Sequence, residues 1–274
     1  MSLPLFPPER DPGPDFVGLL RLTTGRTEAL RATEAAPGRP LEAAGTVSVP
    51  HGTTVVALRW ADGVVMAGDR RATAGNIIAH HAMDKVFPAD RHSAVAIAGT
   101  AGMAIEMVRL FQVQLEHYEK VEGSILSLEG KANQLAQMVR GNLPAAMQGF
   151  AVIPLFAGYD EPRQRGRVFS YDVTGGKYEE ADFQTNGSGG VHARNWIKAF
   201  WQSDLDRDAA VDLALRALFA AADEDAATGG PDLVRRIFPM VAVISHDGYV
   251  ALADDEIATR SEALYGGREE GSGL

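Results

Sequence analysis

A nucleophile can be assembled from three residues spread along this chain: a threonine after a glycine, an aspartate and a lysine. The threonine is Thr53, in Gly52-Thr53-Thr54. A cut after Gly52 would give Thr53 a free α-amine beside its own hydroxyl, and such an amine can act as base for the hydroxyl. An α-amine titrates near pH 8, so a fraction is neutral at pH 7. A nearby lysine ammonium pushes it further towards the neutral form, and a carboxylate would hold that lysine. Asp69, in Gly68-Asp69-Arg70-Arg71, and Lys85, in Met83-Asp84-Lys85-Val86, are the candidates. Acyl transfer also needs donors for a developing oxyanion. Gly99-Thr100-Ala101-Gly102 stands between an expected strand and an expected helix start, where free N–H groups gather. Each stretch also has a plain reading: Gly-Thr-Thr opens a strand, Asp69 and Lys85 are surface charges, and Gly99 to Gly102 is a turn.

Other chemistries find less support. The chain has no cysteine, which removes disulfides, thiolate catalysis and zinc–thiolate sites. Its histidines, among them His80, His81, His92, His117 and His192, show no metal-ligand spacing, and no metal or cofactor is expected. Gly187-Ser188-Gly189 lacks the flanks of a nucleophile elbow. Asp223-Glu224-Asp225 reads as a solvated cluster rather than a cation site. The formal net charge of −10 argues against nucleic acid and against a basic membrane-surface protein. No apolar run approaches the roughly 20 residues of a membrane helix. Met1 to Asp15 has no basic stretch leading into an apolar one, so no signal peptide is read there, and the cytoplasm is the expected location.

The elements that would position these residues follow from periodicity. Residues 1–52 hold eight of the 14 prolines, a spacing that blocks regular structure. From Thr53 to Trp60 the chain is β-branched and apolar, Ala61-Asp62-Gly63 is a hairpin turn, and Val64 to Gly68 returns. Short strands are expected at Asn76 to Ala79, Lys85 to Pro88 and His92 to Ala98. Ala104, Val108, Phe111, Leu115 and Tyr118 then form one helical stripe ending near Gly123. Leu128, Ala132, Leu135, Val139 and Leu143 form a second, weakened at Pro144. Strands are expected at Ala151 to Tyr159, Arg167 to Asp172 and Lys177 to Phe183, the last two joined by Thr174-Gly175-Gly176. A flexible loop is expected at Asn186 to Gly190. One further helix is placed over Val191 to Trp201. Another starts with Asp208 as N-cap, turns Val211, Leu215, Leu218 and Ala222 inward, and has its end marked by Gly229-Gly230-Pro231. Phe238 to Ser245 and Tyr249 to Ala253 are the last strands, and a short helix follows from Asp254. Helices in adjacent pairs exclude simple βαβ alternation and fit an α+β fold of antiparallel sheets under helical layers.

Taken together, these stretches resemble a proteasome β-subunit of the bacterial, actinobacterial kind. The resemblance rests on Gly52-Thr53-Thr54-Val55-Val56-Ala57, Gly63 to Thr73, Met83-Asp84-Lys85-Val86 and Ile97-Ala98-Gly99-Thr100-Ala101-Gly102. It continues through Leu115 to Glu119, Met138 to Leu143, Gly187-Ser188-Gly189 and Asp225 to Leu233, and covers about Thr53 to Arg260. It implies the Ntn-hydrolase fold, a four-layer α-β-β-α sandwich with two stacked antiparallel sheets. Residues 1–52 are then a largely disordered propeptide removed by self-cleavage at Gly52–Thr53. Residues 53–265 are the catalytic domain and 266–274 a disordered tail. Thr53 is implied as the nucleophile, Asp69 and Lys85 as its acid and lysine, Gly99 as the oxyanion donor, and Ser188 and Asp225 as holders of the amine and its water. Thr228 supports them, where many relatives carry serine. Ala72, Met83, Phe87, Ile97, Ala101 and Ile105 are implied to line an apolar specificity pocket, and Thr73, Gly99 and Ala101 to pair with the substrate as an added strand. The implied partners are α-subunit rings around two stacked homo-heptameric β rings, an ATP-driven unfoldase acting indirectly, and protein substrates with a ubiquitin-like tag. The chain itself would bind no nucleotide.

Two rival readings are a simpler bacterial two-ring protease and a non-catalytic ring subunit. The first has shorter chains without a long propeptide, which residues 1–52 argue against. The second would need a lost Thr53, Asp69 or Lys85, and all three are present.

Overall fold

The computed structural model describes residues 52–269. The expected propeptide, apart from Gly52, and residues 270–274 lie outside the described residues. One five-stranded sheet has the order β10-β1-β2-β11-β12. Its strands are β1 (Thr54–Trp60), β2 (Gly63–Gly68), β10 (Phe183–Gly187), β11 (Met240–Ser245) and β12 (Gly248–Ala251). The second has the order β5-β6-β7-β8-β9. It is built from β5 (Val86–Asp90), β6 (Ser93–Gly99), β7 (Val152–Asp160), β8 (Arg165–Tyr171) and β9 (Lys177–Glu180). A small hairpin joins them, β3 (Ala72–Ala74) with β4 (Ile77–His80), and every pairing is antiparallel.

Side chains alternate across a strand, so β1 shows how the layers stack. Val55 and Ala57 face the second sheet, meeting Val64, Met66, Ala94, Ala96 and Leu155 in a core between the sheets. Val56 and Leu58 face the other way, onto α4 (Gly190–Phe200) and α5 (Arg207–Glu224), with Ile197, Val211, Leu215 and Leu218. The second sheet carries α1 (Ala101–Glu122) and α2 (Leu128–Gly141) on its outer face through Phe111, Leu135, Val139, Phe156 and Phe169. A short α3 (Leu143–Ala146) and a final α6 (Asp254–Glu269) complete the set. The result is the α-β-β-α sandwich: β1 reads as an unbroken apolar run because both of its faces are covered.

Several elements differ from expectation. The stripe on α1 stops at Leu115, and Tyr118 is partly exposed. The helix breaks at Asn142, and Pro144 sits in the first turn of α3, where a missing N–H costs nothing. Lys177 to Phe183 is not one strand. β9 ends at Glu180 in the second sheet and β10 starts at Phe183 in the first. Asn186 and Gly187 belong to β10 and pair with β1, so the expected loop is a fastened strand end. The N-cap of α5 is Asp206, whose side chain accepts from Ala209 N at 2.8 Å, with Asp208 already inside the first turn. That helix ends at Glu224, because Asp225 turns extended, and Gly229-Gly230-Pro231 lies in the loop beyond. The last helix runs to Glu269, past Gly266 where the tail was expected to begin.

Candidate active site

Strand pairing delivers the residues. Thr53 immediately precedes β1, which lies between β10 and β2. Antiparallel pairing sets the start of β1 beside the end of β2, so Asp69, the residue after β2, lands next to Thr54. Asp69 N donates to Thr54 O at 3.1 Å, and Thr54 N donates back to Asp69 Oδ1 at 2.8 Å. On the other side Thr54 pairs with Gly187. Gly187 has φ +99°, and a Cβ there would sit 1.7 Å from Thr53 O. Only glycine lets β10 close on Thr53 in this way. Ser188 N then donates to Thr53 O at 2.9 Å. Thr53 itself is buried.

Lys85 stands one residue before β5, in the second sheet, and reaches across. Its Nζ donates to Asp69 Oδ1 at 2.6 Å and to Arg71 O at 2.5 Å. Both members of this ion pair are buried, Lys85 at 1 % exposure and Asp69 at 0 %. Burial holds the Lys85 ammonium below the ordinary lysine value, while the Asp69 carboxylate beside it works in the opposite direction. Asp69 Oδ2 accepts from Arg71 N and Gly229 N, each at 2.9 Å. The carboxylate therefore ties together β1, the β2–β3 corner, Lys85 and the loop after α5.

A second polar chain lies on the Ser188 side. Ser188 Oγ donates to Asp225 Oδ2 at 2.5 Å and Thr228 Oγ1 donates to the same oxygen at 2.6 Å. Thr228 has spent its only hydrogen, so the 2.6 Å contact with Thr54 Oγ1 has Thr54 as donor. Gly189 N donates to Thr54 Oγ1 at 3.0 Å. Burial alone would favour protonated Asp225. The hydroxyls of Ser188 and Thr228 and the N–H of Ala227 outweigh it and hold the carboxyl below the ordinary aspartate value. Asp223 and Glu224 stay exposed, so Asp225 leaves the acidic run and joins the hydroxyls. Among the described residues no group of three or more His, Asp or Glu side chains is placed to hold a metal ion.

Gly99 closes β6 with φ +111°, and α1 begins two residues later behind Thr100, which makes no side-chain cap. The first N–H groups of α1 thus lack a capping side chain beside Gly99, an arrangement that favours negative charge.

Residues 49–234 match the proteasome subunit family. The chain belongs to that family. It is 56% identical to proteasome subunit beta of Acidimicrobium ferrooxidans over 277 residues, covering 99% of this chain and 97% of the relative. It is 60% identical to proteasome subunit beta of Streptomyces griseus over 212 residues, covering 77% and 75%. Identity to proteasome subunit beta of Acidothermus cellulolyticus is 55% over 246 residues, covering 88% and 85%.

The residues read from the sequence as a specificity pocket divide in the structure of this family member. Ile97 is buried, and Phe87 and Ile105 pack with it on the core under α1. Ala72 and Thr73 lie on β3, Ala101 opens α1, and Met83 is held through its N–H to Arg70 O at 2.9 Å. Thr54 and the carbonyl of Arg71 were not singled out from the sequence. Adjacency to Thr53 and Asp69 was the only signal for them.

Proposed function

We propose that this chain is the catalytic β-subunit of a bacterial proteasome core particle, a threonine endopeptidase. The observation that carries the reading is Asp69 Oδ1, which accepts at once from Lys85 Nζ and from the N–H of the residue after Thr53. A buried ion pair is thus fixed to the backbone one residue beyond the candidate nucleophile.

Maturation begins with attack of Thr53 Oγ on the carbonyl carbon of Gly52. The Gly52–Thr53 C–N bond breaks, and the proton lost from Oγ ends on the Thr53 nitrogen. Water hydrolyses the resulting ester, releasing Gly52 as a carboxylate and restoring the hydroxyl. The new α-amine then serves as base, through water, for attack on a substrate carbonyl. The oxyanion is held by Gly99 N–H, and water cleaves the acyl ester. Lys85 keeps the amine from taking a further proton, and Ser188, Asp225 and Thr228 hold the amine and its water. Ala72, Met83, Phe87, Ile97, Ala101 and Ile105 are apolar or small, so cleavage should follow small or hydrophobic residues. The partners in this reading are α-subunit rings, a second homo-heptameric β ring and, indirectly, an ATP-driven unfoldase that delivers tagged proteins. The cytoplasm is the proposed location.

The test is peptidase activity of particles co-assembled with the α-subunit and carrying Thr53→Ala. Loss of at least about a thousandfold is expected for a removed nucleophile. Activity close to that of the parent particle would sink the assignment.

A further inference from the structure

Gly52, the residue whose carbonyl is attacked, is gripped from two sides. Its N–H donates to Thr73 Oγ1 at 3.0 Å, a buried contact between residues 21 apart in sequence. On its other flank there is no room. A Cβ at Gly52 would lie 2.0 Å from Ala227 Cβ and 2.6 Å from Ala227 O. Ala227 is itself fixed, since its N–H donates to Asp225 Oδ1 at 3.1 Å. Beyond the scissile bond, Thr53 O accepts from Ser188 N and Thr54 N donates to Asp69.

The local fold explains why Thr73 is available for this. Strand β3 pairs with β4 as Ala72 with His80 and Thr73 with Ile78, so the register slips by one residue between Ala72 and Thr73. A bulge of this kind re-aims a side chain next to an active site. Thr73 is buried, and its hydroxyl meets Gly52 rather than solvent.

We propose that the Thr73 hydroxyl is a positioning group for self-cleavage, holding Gly52 against the Ala227 wall so that its carbonyl is presented to the Thr53 hydroxyl. This rests on the reading of Thr53 as nucleophile. The side chain of Thr73 acts on the chain's own Gly52, a role separate from main-chain pairing of β3 with a substrate. A scissile bond held within a narrow range of orientations reacts faster than one free to turn. The departing segment takes the Gly52 N–H with it, so this contact operates in the uncleaved chain.

The experiment follows the appearance of the Thr53 N-terminus over time in full-length chain assembled with the α-subunit. Thr73→Val keeps the shape and removes the hydroxyl, and should slow processing roughly tenfold through loss of one buried hydrogen bond and its unpaired donor. Thr73→Ser keeps the hydroxyl and should process at close to the parent rate. Processing of Thr73→Val at the parent rate, or of Thr73→Ser as slowly as Thr73→Val, would overturn the proposal. Should Thr73→Val fail to assemble, amide exchange at Gly52 in the uncleaved Thr53→Ala chain decides: strong protection supports the contact, and exchange at the rate of open peptide overturns it. Cleavage after Gly52 in Thr53→Ala would instead remove the nucleophile reading itself, which separates the two failures.

Discussion

Asp69 accepts four donors on two buried oxygens: Lys85 Nζ and Thr54 N on one, Arg71 N and Gly229 N on the other. Lys85 Nζ makes two contacts, to Asp69 and to Arg71 O. The two residues should therefore differ when removed. Asp69→Ala strands a buried ammonium and three backbone N–H groups, and should cost about 3–5 kcal/mol. Lys85→Ala leaves a carboxylate that still has three N–H donors, and should cost clearly less in urea denaturation of the uncleaved chain. Equal losses, or a larger loss for Lys85→Ala, would contradict the described network. Both variants should lack peptidase activity. That Asp69 and Lys85 meet at the start of β1 was legible in the sequence, because the expectation of a threonine nucleophile looks for an acid and a lysine at strand ends. The hydroxyls of Thr54 and Thr73 were not, because a single sequence does not tell which side chain a bulge or a strand start turns towards which backbone.

At the scale of elements, the hairpin of β1 and β2 was readable from Asp62-Gly63 between two apolar runs, and it alone brings Asp69 to Thr54. The stretch from Lys177 to Gly187 was misread because the chain changes sheets at Ala181-Asp182 without a glycine or proline to mark the step. The start of α5 was misplaced by two residues, since Asp206 and Asp208 are both good capping types. Only the contact of Asp206 with Ala209 N separates them. Asp206→Ala should therefore lower stability by about 1 kcal/mol. Asp208→Ala loses only exposed pairs with Arg260 and Arg207 and should cost no more than about 0.5 kcal/mol. Urea midpoints of the two variants check this, and the reverse order would return the cap to Asp208.

Across the whole molecule, Arg167 joins α2 to the second sheet. It is 3 % exposed and bonds Asp160, Glu179 and Glu129. Hydrogen bonds from Arg167 hold Glu179 below the ordinary carboxylate range, and those from Lys177 and then Arg167 do so for Glu129. For Asp160 burial pulls upward, but Arg163 and Arg167 prevail. Carboxyls depressed in the folded state bind fewer protons there than in the unfolded chain. Their stabilisation is thus complete above the ordinary value of about 4 and fades as pH falls through the lower folded values. Urea midpoints should hold steady above about pH 5 and fall below pH 4. In Arg167→Met the acid fall should be shallower, from a lower starting stability. A parent protein that gains stability on acidification below pH 4 would contradict this. The sandwich itself was legible in the sequence from paired helices between apolar runs, whereas this cluster was not, because its members are scattered over 51 positions from Glu129 to Glu179. The central claim, that the chain becomes an enzyme by cutting itself, is tested most directly by N-terminal sequencing of the subunit in assembled, peptidase-active particles. The expected first residue is Thr53. Active particles whose chains still carry residues ahead of Thr53 would contradict it.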